Sequence, residues 1–367
     1  MIRSSHCALV ALVIAGSACK KPDGPEVAFL LSTLQEQRYE KDVKYFEARA
    51  EELGISVVTL AADNETATQL AQVEDVLARG AKVLVIQPTD NQAASAYVRI
   101  AHENGAKVVA YDRAIVSADL DYYVSHDSYR VGVLQAEAAL AATGGKGNYV
   151  LLAGHPGQAI PSSGVNPEDS MSGPSSGVNP EDSMFGAAEI TRGYQQTLAP
   201  YIARGDVKVV VEQSHAAWSS DEAQRTVEDA LARTGRKLDA ILANNSGLAR
   251  GAVQAVMAAG LSNVFIAGAD ADAANINFVC QGKQTIEILK DIQPLAQTAA
   301  EVAKSLVDGH APKRGSATVM LGGGDVPVAA VRVDVVTPET VKPLLVDSGF
   351  LTAGELPACA NRLALAK

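Results

Sequence analysis

Residues 81–113, AKVLVIQPTDNQAASAYVRIAHENGAKVVAYDR, carry the pattern that decides the fold. The run VLVIQ at 83–87, which is apolar up to Ile86, predicts a buried strand. The amphipathic stretch 92–104 predicts a helix that Gly105 ends, and 107–111 predicts the next strand. Short apolar strands separated by amphipathic helices are typical of a parallel sheet with helices on both faces. The stretch therefore predicts one strand–helix–strand unit of an α/β fold.

The same alternation extends along the chain from residue 27 to residue 306 and restarts once, at a helix predicted over 129–142. Two consecutive series of this kind predict two doubly wound parallel-sheet lobes joined by a multi-strand hinge. Such sheets bind ligands in the crevice outside the carboxyl ends of their strands. The expected division is a first lobe of residues 27–127 and 285–322, a second lobe of residues 128–284 and 323–348, and a C-terminal tail of residues 349–367.

The N-terminal stretch MIRSSHCALVALVIAGSAC predicts export. Arg3 is followed by an apolar run at 7–16 that is too short for a stable membrane anchor, as in a secretory signal peptide. Small residues precede Cys19, which predicts a bacterial lipoprotein with a signal peptide at 1–18, a lipid on Cys19 and a linker at 19–26. Gly16 stands where a leucine is usual, so an ordinary signal peptide cut nearby is the alternative. In either case we expect a periplasmic protein, anchored to the membrane if Cys19 is acylated.

Composition and motifs exclude several classes of function. The net charge of −11 argues against nucleic acid or an anionic lipid surface as a partner. The chain contains no H-E-x-x-H and no C-x-x-C motif, and its six histidines show no metal-ligand spacing. We therefore expect no catalytic residues, no bound metal and no cofactor.

Two cysteines remain for the body of an exported protein, Cys280 and Cys359, since Cys7 leaves with the signal peptide and Cys19 carries lipid. In an oxidising compartment such a pair predicts a disulfide, which would tie the C-terminal tail to the second lobe. The alternative is two unpaired thiols, one of them buried in a helix.

One segment interrupts the alternation with a tandem duplication. Residues 161–173 read PSSGVNPEDSMSG and residues 174–186 read PSSGVNPEDSMFG, so the copies differ only at Ser172 and Phe185. Their content of proline, glycine, serine and asparagine predicts a loop. The segment is interpreted either as a duplication tolerated at the surface or as part of the rim of the ligand crevice, because it follows a strand predicted at 149–153.

Polar and aromatic side chains follow the predicted strands where their carboxyl ends lie. They are Arg38, Tyr39, Asp112, Arg113, Trp218, Asn244, Asn245, Asp270, Asp272 and Lys290. Carboxylates accept hydrogen bonds, arginine and lysine donate them, and amides do both, which suits the hydroxyl groups of a sugar. An aromatic ring suits the apolar face of the same sugar.

Each of these residues also has a purely structural interpretation. Asp270 or Asp272 would serve as a helix N-cap, and Asn244 and Asn245 would serve as turn residues. The two aromatic residues would belong to the core. Their shared position at strand ends favours the ligand site over these alternatives.

The chain resembles the bacterial periplasmic D-xylose-binding proteins, within the type I sugar-binding proteins of ABC importers. The resemblance covers residues 27–350 except 155–186. It rests on the segments RYEKD at 38–42, AKVLVIQP at 81–88, VAYDR at 109–113, Ala217-Trp218, Asn244-Asn245, GADAD at 268–272, and Lys290. The resemblance implies the type I periplasmic binding protein fold and a monomer that delivers its ligand to a membrane permease. The ligand contacts that it implies are Arg38, Asp112, Arg113, Trp218, Asn245, Asp270 and Lys290.

The chain departs from the family pattern at two places. Tyr39 occupies the position of a tryptophan, and we include it among the expected ligand-binding residues. The Asp-Asn pair that the family has after the strand at 149–153 is replaced by His155-Pro156-Gly157 and the duplicated segment. Within that segment Asn166 with Asp169, or Asn179 with Asp182, are the possible substitutes.

The sequence thus predicts an exported receptor that closes on a monosaccharide, D-xylose first and a hexose second, and delivers it to an ABC importer. The alternative is a lipoprotein that presents the bound sugar to a membrane sensor kinase. A sugar-responsive transcription regulator uses a similar core, but it requires an N-terminal DNA-binding helix where this chain has a signal peptide.

Overall fold

A computed structural model describes residues 24–34, 37–117, 119–154, 187–215, 218–312 and 318–365. The predicted signal peptide, Cys19, most of the linker and the duplicated segment with its four candidate side chains lie outside these residues, as does the side chain of Arg38. Among the helices that the structure describes, none combines the length and apolar character needed to span a bilayer.

The strands and helices follow the predicted alternation. The strands are β1 (Val27–Leu31), β2 (Val57–Ala61), β3 (Val83–Ile86), β4 (Lys107–Tyr111), β5 (Tyr122–His126), β6 (Gly147–Ala153), β7 (Val207–Ser214), β8 (Ala240–Ala243), β9 (Phe265–Ala269), β10 (Ile286–Leu289), β11 (Thr318–Leu321), β12 (Gly324–Val331) and β13 (Asp334–Val336). The α-helices are α1 (Gln37–Glu52), α2 (Thr66–Ala78), α3 (Ser95–Glu103), α4 (Ser128–Thr143), α5 (Ala187–Ala203), α6 (Ser220–Arg233), α7 (Ser246–Ala258), α8 (Ala273–Cys280), α9 (Ile292–Val307) and α10 (Ala360–Leu365).

These strands form two sheets. The first has the order β11-β12-β5-β4-β3-β1-β2 and the second has the order β13-β10-β9-β8-β6-β7. Only the pairs β11–β12 and β10–β13 are antiparallel; the other pairs in both sheets are parallel. The central strands are buried throughout, which is why they are apolar without alternation. This architecture confirms the predicted α/β fold of two doubly wound parallel-sheet lobes.

Helices cover both faces of each sheet and enclose the cores. In the first lobe, for example, the ring of Phe29 on β1 stacks on Phe46 of α1 at 4.2 Å and meets the edge of Tyr111 on β4 at 5.1 Å. Leu295 and Ala299 of α9 pack against the same cluster. Helix α9 therefore belongs to the first lobe although it follows β10 of the second.

The chain crosses between the lobes three times, at 126–128, 289–292 and 331–334. This corrects the predicted boundaries, because β10 at 286–289 lies in the second sheet and β12 at 324–331 lies in the first. Apolar patterning identifies a strand but not the sheet in which it pairs. The lobe of each strand follows from its pairing, β10 with β9 in the second sheet and β12 with β5 in the first. Hydrogen bonds join the crossovers: His126 Nε2 lies 3.0 Å from the carbonyl oxygen of Asp291, and the Asp127 amide donates to Val331 at 3.0 Å.

The C-terminal tail packs on the second lobe and also contacts the first. A disulfide joins Cys280, at the end of α8, to Cys359 in the tail. The apolar side chains of the tail cover Ile276 and Leu289. Lys41 of α1 donates a hydrogen bond from Nζ to the carbonyl oxygen of Phe350 at 2.8 Å and lies 4.9 Å from the centre of its ring.

Candidate functional site

The carboxyl end of β4 holds two of the predicted residues, Asp112 and Arg113, in a fixed arrangement. Asp112 has a φ of 60°, and its carbonyl oxygen accepts hydrogen bonds from the Tyr123 hydroxyl at 2.8 Å and the Ser125 hydroxyl at 3.2 Å. Its carboxylate accepts from Gln87 Nε2 at 3.3 Å. The next strand, β5, thus anchors the backbone of Asp112, and the end of β3 contacts its side chain.

Tyr39 is buried at the start of α1, with 3% of its surface exposed. Its hydroxyl accepts a hydrogen bond from Arg113 Nη2 at 3.3 Å, and Arg113 Nη1 donates to the Pro88 carbonyl at 3.4 Å. The structure therefore places Tyr39 behind Arg113 and does not expose it as an aromatic plate. The hydrogen bond from Arg113 to Tyr39 fixes the orientation of the guanidinium.

Gln87 is a residue of this site that the sequence reasoning missed. Its Oε1 accepts from the Ser32 hydroxyl at 2.8 Å, and its Nε2 donates to Asp112, so it links the ends of β1, β3 and β4. A fully buried glutamine directly after an apolar strand was the available signal, since buried polar groups need partners.

The two asparagines after β8 differ in their surroundings. Asn244 is buried, accepts from the Gly154 amide at 2.9 Å and donates to the Tyr194 hydroxyl at 3.3 Å. Asn245 Oδ1 caps α7 by accepting from the Leu248 amide at 2.9 Å. The capping interpretation therefore holds for Oδ1 of Asn245.

Trp218 lies at the carboxyl edge of the second sheet and not in the core. It has a φ of 55°, its amide donates to the His215 carbonyl at 3.0 Å, and 37% of its surface is exposed. Its indole ring rests on Gly154 at the end of β6, where a β-carbon would come within 2.1 Å of ring atoms. The glycine thus provides the space in which the tryptophan covers the strand end.

Asp270 and Lys290 follow the neighbouring strands β9 and β10 and form an ion pair, with Lys290 Nζ 3.1 Å from Asp270 Oδ1. Both side chains are largely shielded, with 26% and 16% exposed. The N-cap position of α8 belongs to Asp272, whose side chain makes no capping bond and pairs with Arg250 at 3.3 Å. Asp270 is therefore not the helix cap that the alternative interpretation required.

The backbone is strained at several of these positions. Seven non-glycine residues in the described parts of the chain have positive φ, and four of them lie at these strand ends: Asp112, Trp218, Asp270 and Ala271. Each left-handed residue of this kind costs on the order of 1–3 kcal/mol and persists only where its surroundings determine it. Strain concentrated at one edge of both sheets is typical of a functional site.

The structure brings the predicted residues together within each lobe. Tyr39, Arg113 and Asp112 share the first lobe with the backbone of Arg38. Asp270 and Lys290 share the second lobe with Trp218 and Asn245, which both lie beside Gly247. Each described set contains one carboxylate and one cation: Asp112 with Arg113 in the first lobe, and Asp270 with Lys290 in the second.

Two parallel-sheet lobes, three crossovers and polar side chains at the carboxyl ends of the strands define a type I periplasmic binding protein. A family model described as periplasmic binding protein domain matches residues 27–161 and 178–311. The chain belongs to this family.

Two relatives share its sequence over most of their length. The D-xylose-binding periplasmic protein of Escherichia coli K12 is 36% identical over 332 residues, which cover 90% of this chain and 92% of the relative. The D-xylose-binding periplasmic protein of Haemophilus influenzae is 33% identical over 306 residues, which cover 83% of this chain and 84% of the relative. The predicted resemblance to this family is thereby confirmed.

Solved structures show the same fold. A carbohydrate transporter solute-binding protein from Chloroflexus aurantiacus, in complex with D-glucose, has a TM-score of 0.74 and 28% identity, covering 91% of this chain and 99% of that one. An ABC transporter solute-binding protein from Clostridium phytofermentans, with bound β-D-glucose, has a TM-score of 0.74 and 26% identity, covering 90% and 99%.

Proposed function

We propose that this protein binds a neutral monosaccharide between its two lobes, D-xylose first, and delivers it to the membrane permease of an ABC importer. The observation that carries the proposal is the set of side chains of both charge signs at the carboxyl ends of both sheets. The carboxylates of Asp112 and Asp270 together with the cations of Arg38, Arg113 and Lys290 offer both acceptors and donors, which suits a neutral polyol better than a sugar acid or a phosphate. The names of the two relatives above support D-xylose as the first candidate.

The proposed contacts divide between the lobes. From the first lobe Arg38, Asp112 and Arg113 contact sugar hydroxyls, and Tyr39 orients Arg113. From the second lobe Asn245, Asp270 and Lys290 contact hydroxyls, and Trp218 packs on the apolar face of the ring. Each lobe supplies both donors and acceptors, so closure of the lobes completes the site around the ligand.

The cellular setting is part of the proposal. The relatives are periplasmic proteins by name, and the N-terminal sequence supports export of this chain. We place a lipid anchor on Cys19, after removal of residues 1–18, and we expect a monomer. Metabolic labelling with a fatty-acid analogue tests the anchor, and Cys19→Ser should abolish the label.

A thermal-shift series on the protein from residue 20 onward tests the ligand class. We expect D-xylose to raise the melting temperature in proportion to the logarithm of its concentration, because a ligand that binds only the folded state stabilises it by mass action. D-Glucose is the neutral hexose for comparison, and D-glucuronate is the anionic control. Stabilisation by D-glucuronate alone would contradict a neutral ligand.

A further inference from the structure

Glu287 is a buried carboxylic acid in the middle of β10, with none of its surface exposed. It pairs in register with Gly268 of β9, on the sheet face that α7 covers. A β-carbon on Gly268 would come within 2.1 Å of Glu287 Oε1 and within 2.8 Å of Ala249 on α7. The absence of a side chain at Gly268 therefore makes the space that the carboxyl group occupies.

This carboxyl group connects three segments that carry the candidate site. Oε2 accepts a hydrogen bond from the Ala271 amide at 3.1 Å and lies 2.8 Å from the hydroxyl of Ser246, the first residue of α7. Oε1 accepts from Gln284 Nε2 at 2.5 Å. Ala271 directly follows Asp270, and Ser246 directly follows Asn245. Glu287 thus ties the turn after β9 to the start of α7.

Ser246 extends the same connection. Its hydroxyl oxygen accepts from the Asp272 amide at 3.2 Å and lies 2.9 Å from the Ala269 carbonyl oxygen. The hydroxyl has one proton but two acceptors within reach, the Ala269 carbonyl and Glu287 Oε2. A protonated Oε2 that donates to Ser246 leaves the serine proton for Ala269. With the neutral carboxylic acid, Glu287, Ser246 and the Ala269 carbonyl group therefore all have hydrogen-bond partners.

The environment of Glu287 favours this neutral form. Burial raises the pKa of the carboxyl group to about 8, and the negative charge of Asp270 also raises it. Hydrogen bonds from Gln284, Ser246 and the Ala271 amide to the ionised form lower the pKa, but by less than burial raises it. Other charged groups on the neighbouring segments are Arg250 and Asp272, which pair with each other, Lys290, which pairs with Asp270, and Asp334 of β13, which pairs with Arg332.

We propose that Glu287 is a positioning residue of the sugar site: its neutral carboxyl group holds the turn at 269–272 against the start of α7 and so sets the positions of Asp270 and Asn245. The turn needs such an anchor, because Asp270 and Ala271 have φ values of 100° and 60°. The part of this proposal that concerns the sugar rests on the proposed function; the part that concerns the turn does not.

The test compares Glu287→Gln with Tyr149→Phe. Glutamine keeps the size and neutrality of the acid, but no single atom of its amide both donates to Ser246 and accepts from Ala271. Tyr149→Phe is the matched control, because it removes a hydrogen bond of 2.6 Å to Thr143 near the amino end of β6 in the same lobe. In the protein without sugar, we expect the Ala271 and Asp272 amides to exchange with solvent about tenfold faster in Glu287→Gln only.

Calorimetric titration with D-xylose provides the second comparison. Affinity should fall about tenfold in Glu287→Gln, equivalent to ~1.4 kcal/mol, and stay unchanged in Tyr149→Phe. Unchanged amide exchange together with unchanged affinity in a folded Glu287→Gln protein would overturn the proposal. If wild type binds no sugar, the proposed function fails, and the amide exchange still decides whether Glu287 positions the turn.

The pH dependence of the unfolding free energy tests the protonation state of Glu287 without any measurement of sugar affinity. A carboxyl group whose pKa is raised to about 8 on folding contributes stability that is fully present below the pKa of the unfolded chain. That stability is lost progressively as the pH rises to about 8. The unfolding free energy of wild type should therefore decline from about pH 5 to pH 8 relative to Glu287→Gln. Parallel profiles would show that Glu287 is ionised and would overturn its role as a neutral acid.

Should Glu287→Gln fail to fold, Ser246→Ala is the second variant, with the same expected effect on amide exchange.

Discussion

At the scale of single residues, the site combines strained backbone with charged side chains that are hydrogen-bonded to buried residues. Asp112 and Trp218 adopt left-handed conformations that other residues fix in place, and Tyr39 and Gln87 hold charged groups from positions with no proposed sugar contact. Contacts within the protein therefore hold Asp112, Arg113 and Trp218, three of the residues proposed to contact the ligand. Preorganisation of this kind reduces the conformational entropy that binding costs.

Replacing Trp218 with alanine should weaken D-xylose binding by about 1–3 kcal/mol, the scale of losing one buried aromatic face. Because Trp218 is the single tryptophan, its fluorescence should also change when sugar is added to wild type. Met257→Ala, which removes an exposed apolar side chain on α7, is the control and should leave affinity unchanged. Constant emission together with full affinity in Trp218→Ala would exclude stacking on the sugar.

Asp270→Ala should lower affinity at least about tenfold, or ~1.4 kcal/mol, because it removes an acceptor and leaves the shielded Lys290 without its ion pair. Asp272→Ala is the matched control two residues away, since the pair that it breaks with Arg250 is more exposed. Calorimetric titration of both variants checks the difference. Equal affinities in the two variants would mean that Asp270 has no special role.

Part of this site was predictable from residue types alone. Polar residues directly after apolar strands identified Asp112, Asp270 and Lys290, because the carboxyl ends of parallel strands share one edge. Residue types did not indicate that Tyr39 is buried, because its burial depends on packing between α1 and the first sheet. The argument from strand ends also missed Glu287, which interrupts an apolar strand and finds its partners on α7 and in the turn after β9.

At the scale of elements, the C-terminal tail is fixed to the second lobe by a disulfide and by apolar packing. The disulfide between Cys280 and Cys359 spans 79 residues and fastens the tail to α8, where Leu345 and Leu356 add buried apolar contacts. Through Phe350 the tail also contacts Lys41 of the first lobe. The tail therefore supports the second lobe and touches the region where the lobes meet.

Removing the disulfide with Cys280→Ser and Cys359→Ser together should lower the free energy of unfolding by about 2–5 kcal/mol, because the cross-link restricts the unfolded chain. Urea denaturation measures the change. D-xylose affinity should be nearly unchanged, since the bridge lies outside the proposed contacts. Peptide mapping without reduction should find the two cysteines linked, and two freely alkylated thiols would contradict the structure.

Element types were predictable, but their membership in a lobe was not. Apolar patterning identified the strand at 286–289, but the expected boundaries placed it in the first lobe, and they placed residues 324–331, which form β12 of the first sheet, in the second lobe. Pairing depends on contacts between strands that are distant in sequence, such as β12 with β5. Periodicity contains no information on these partners.

At the scale of the whole molecule, three crossovers linked by hydrogen bonds form the hinge between the lobes. Two lobes joined in this way move as rigid bodies around a bound ligand in other binding proteins. We therefore expect the radius of gyration, measured by small-angle X-ray scattering, to decrease when D-xylose is added. The anionic D-glucuronate serves as the control sugar, and identical scattering with and without D-xylose at saturation would contradict closure.

The most direct test of the proposed function is a crystal structure of the protein from residue 20 onward, grown with D-xylose. We expect one sugar between the lobes, with hydroxyls bonded to Asp112 and Arg113 on one side and to Asp270 and Lys290 on the other, and with Trp218 against the face of the ring. A sugar bound elsewhere, or contacted by one lobe alone, would contradict it.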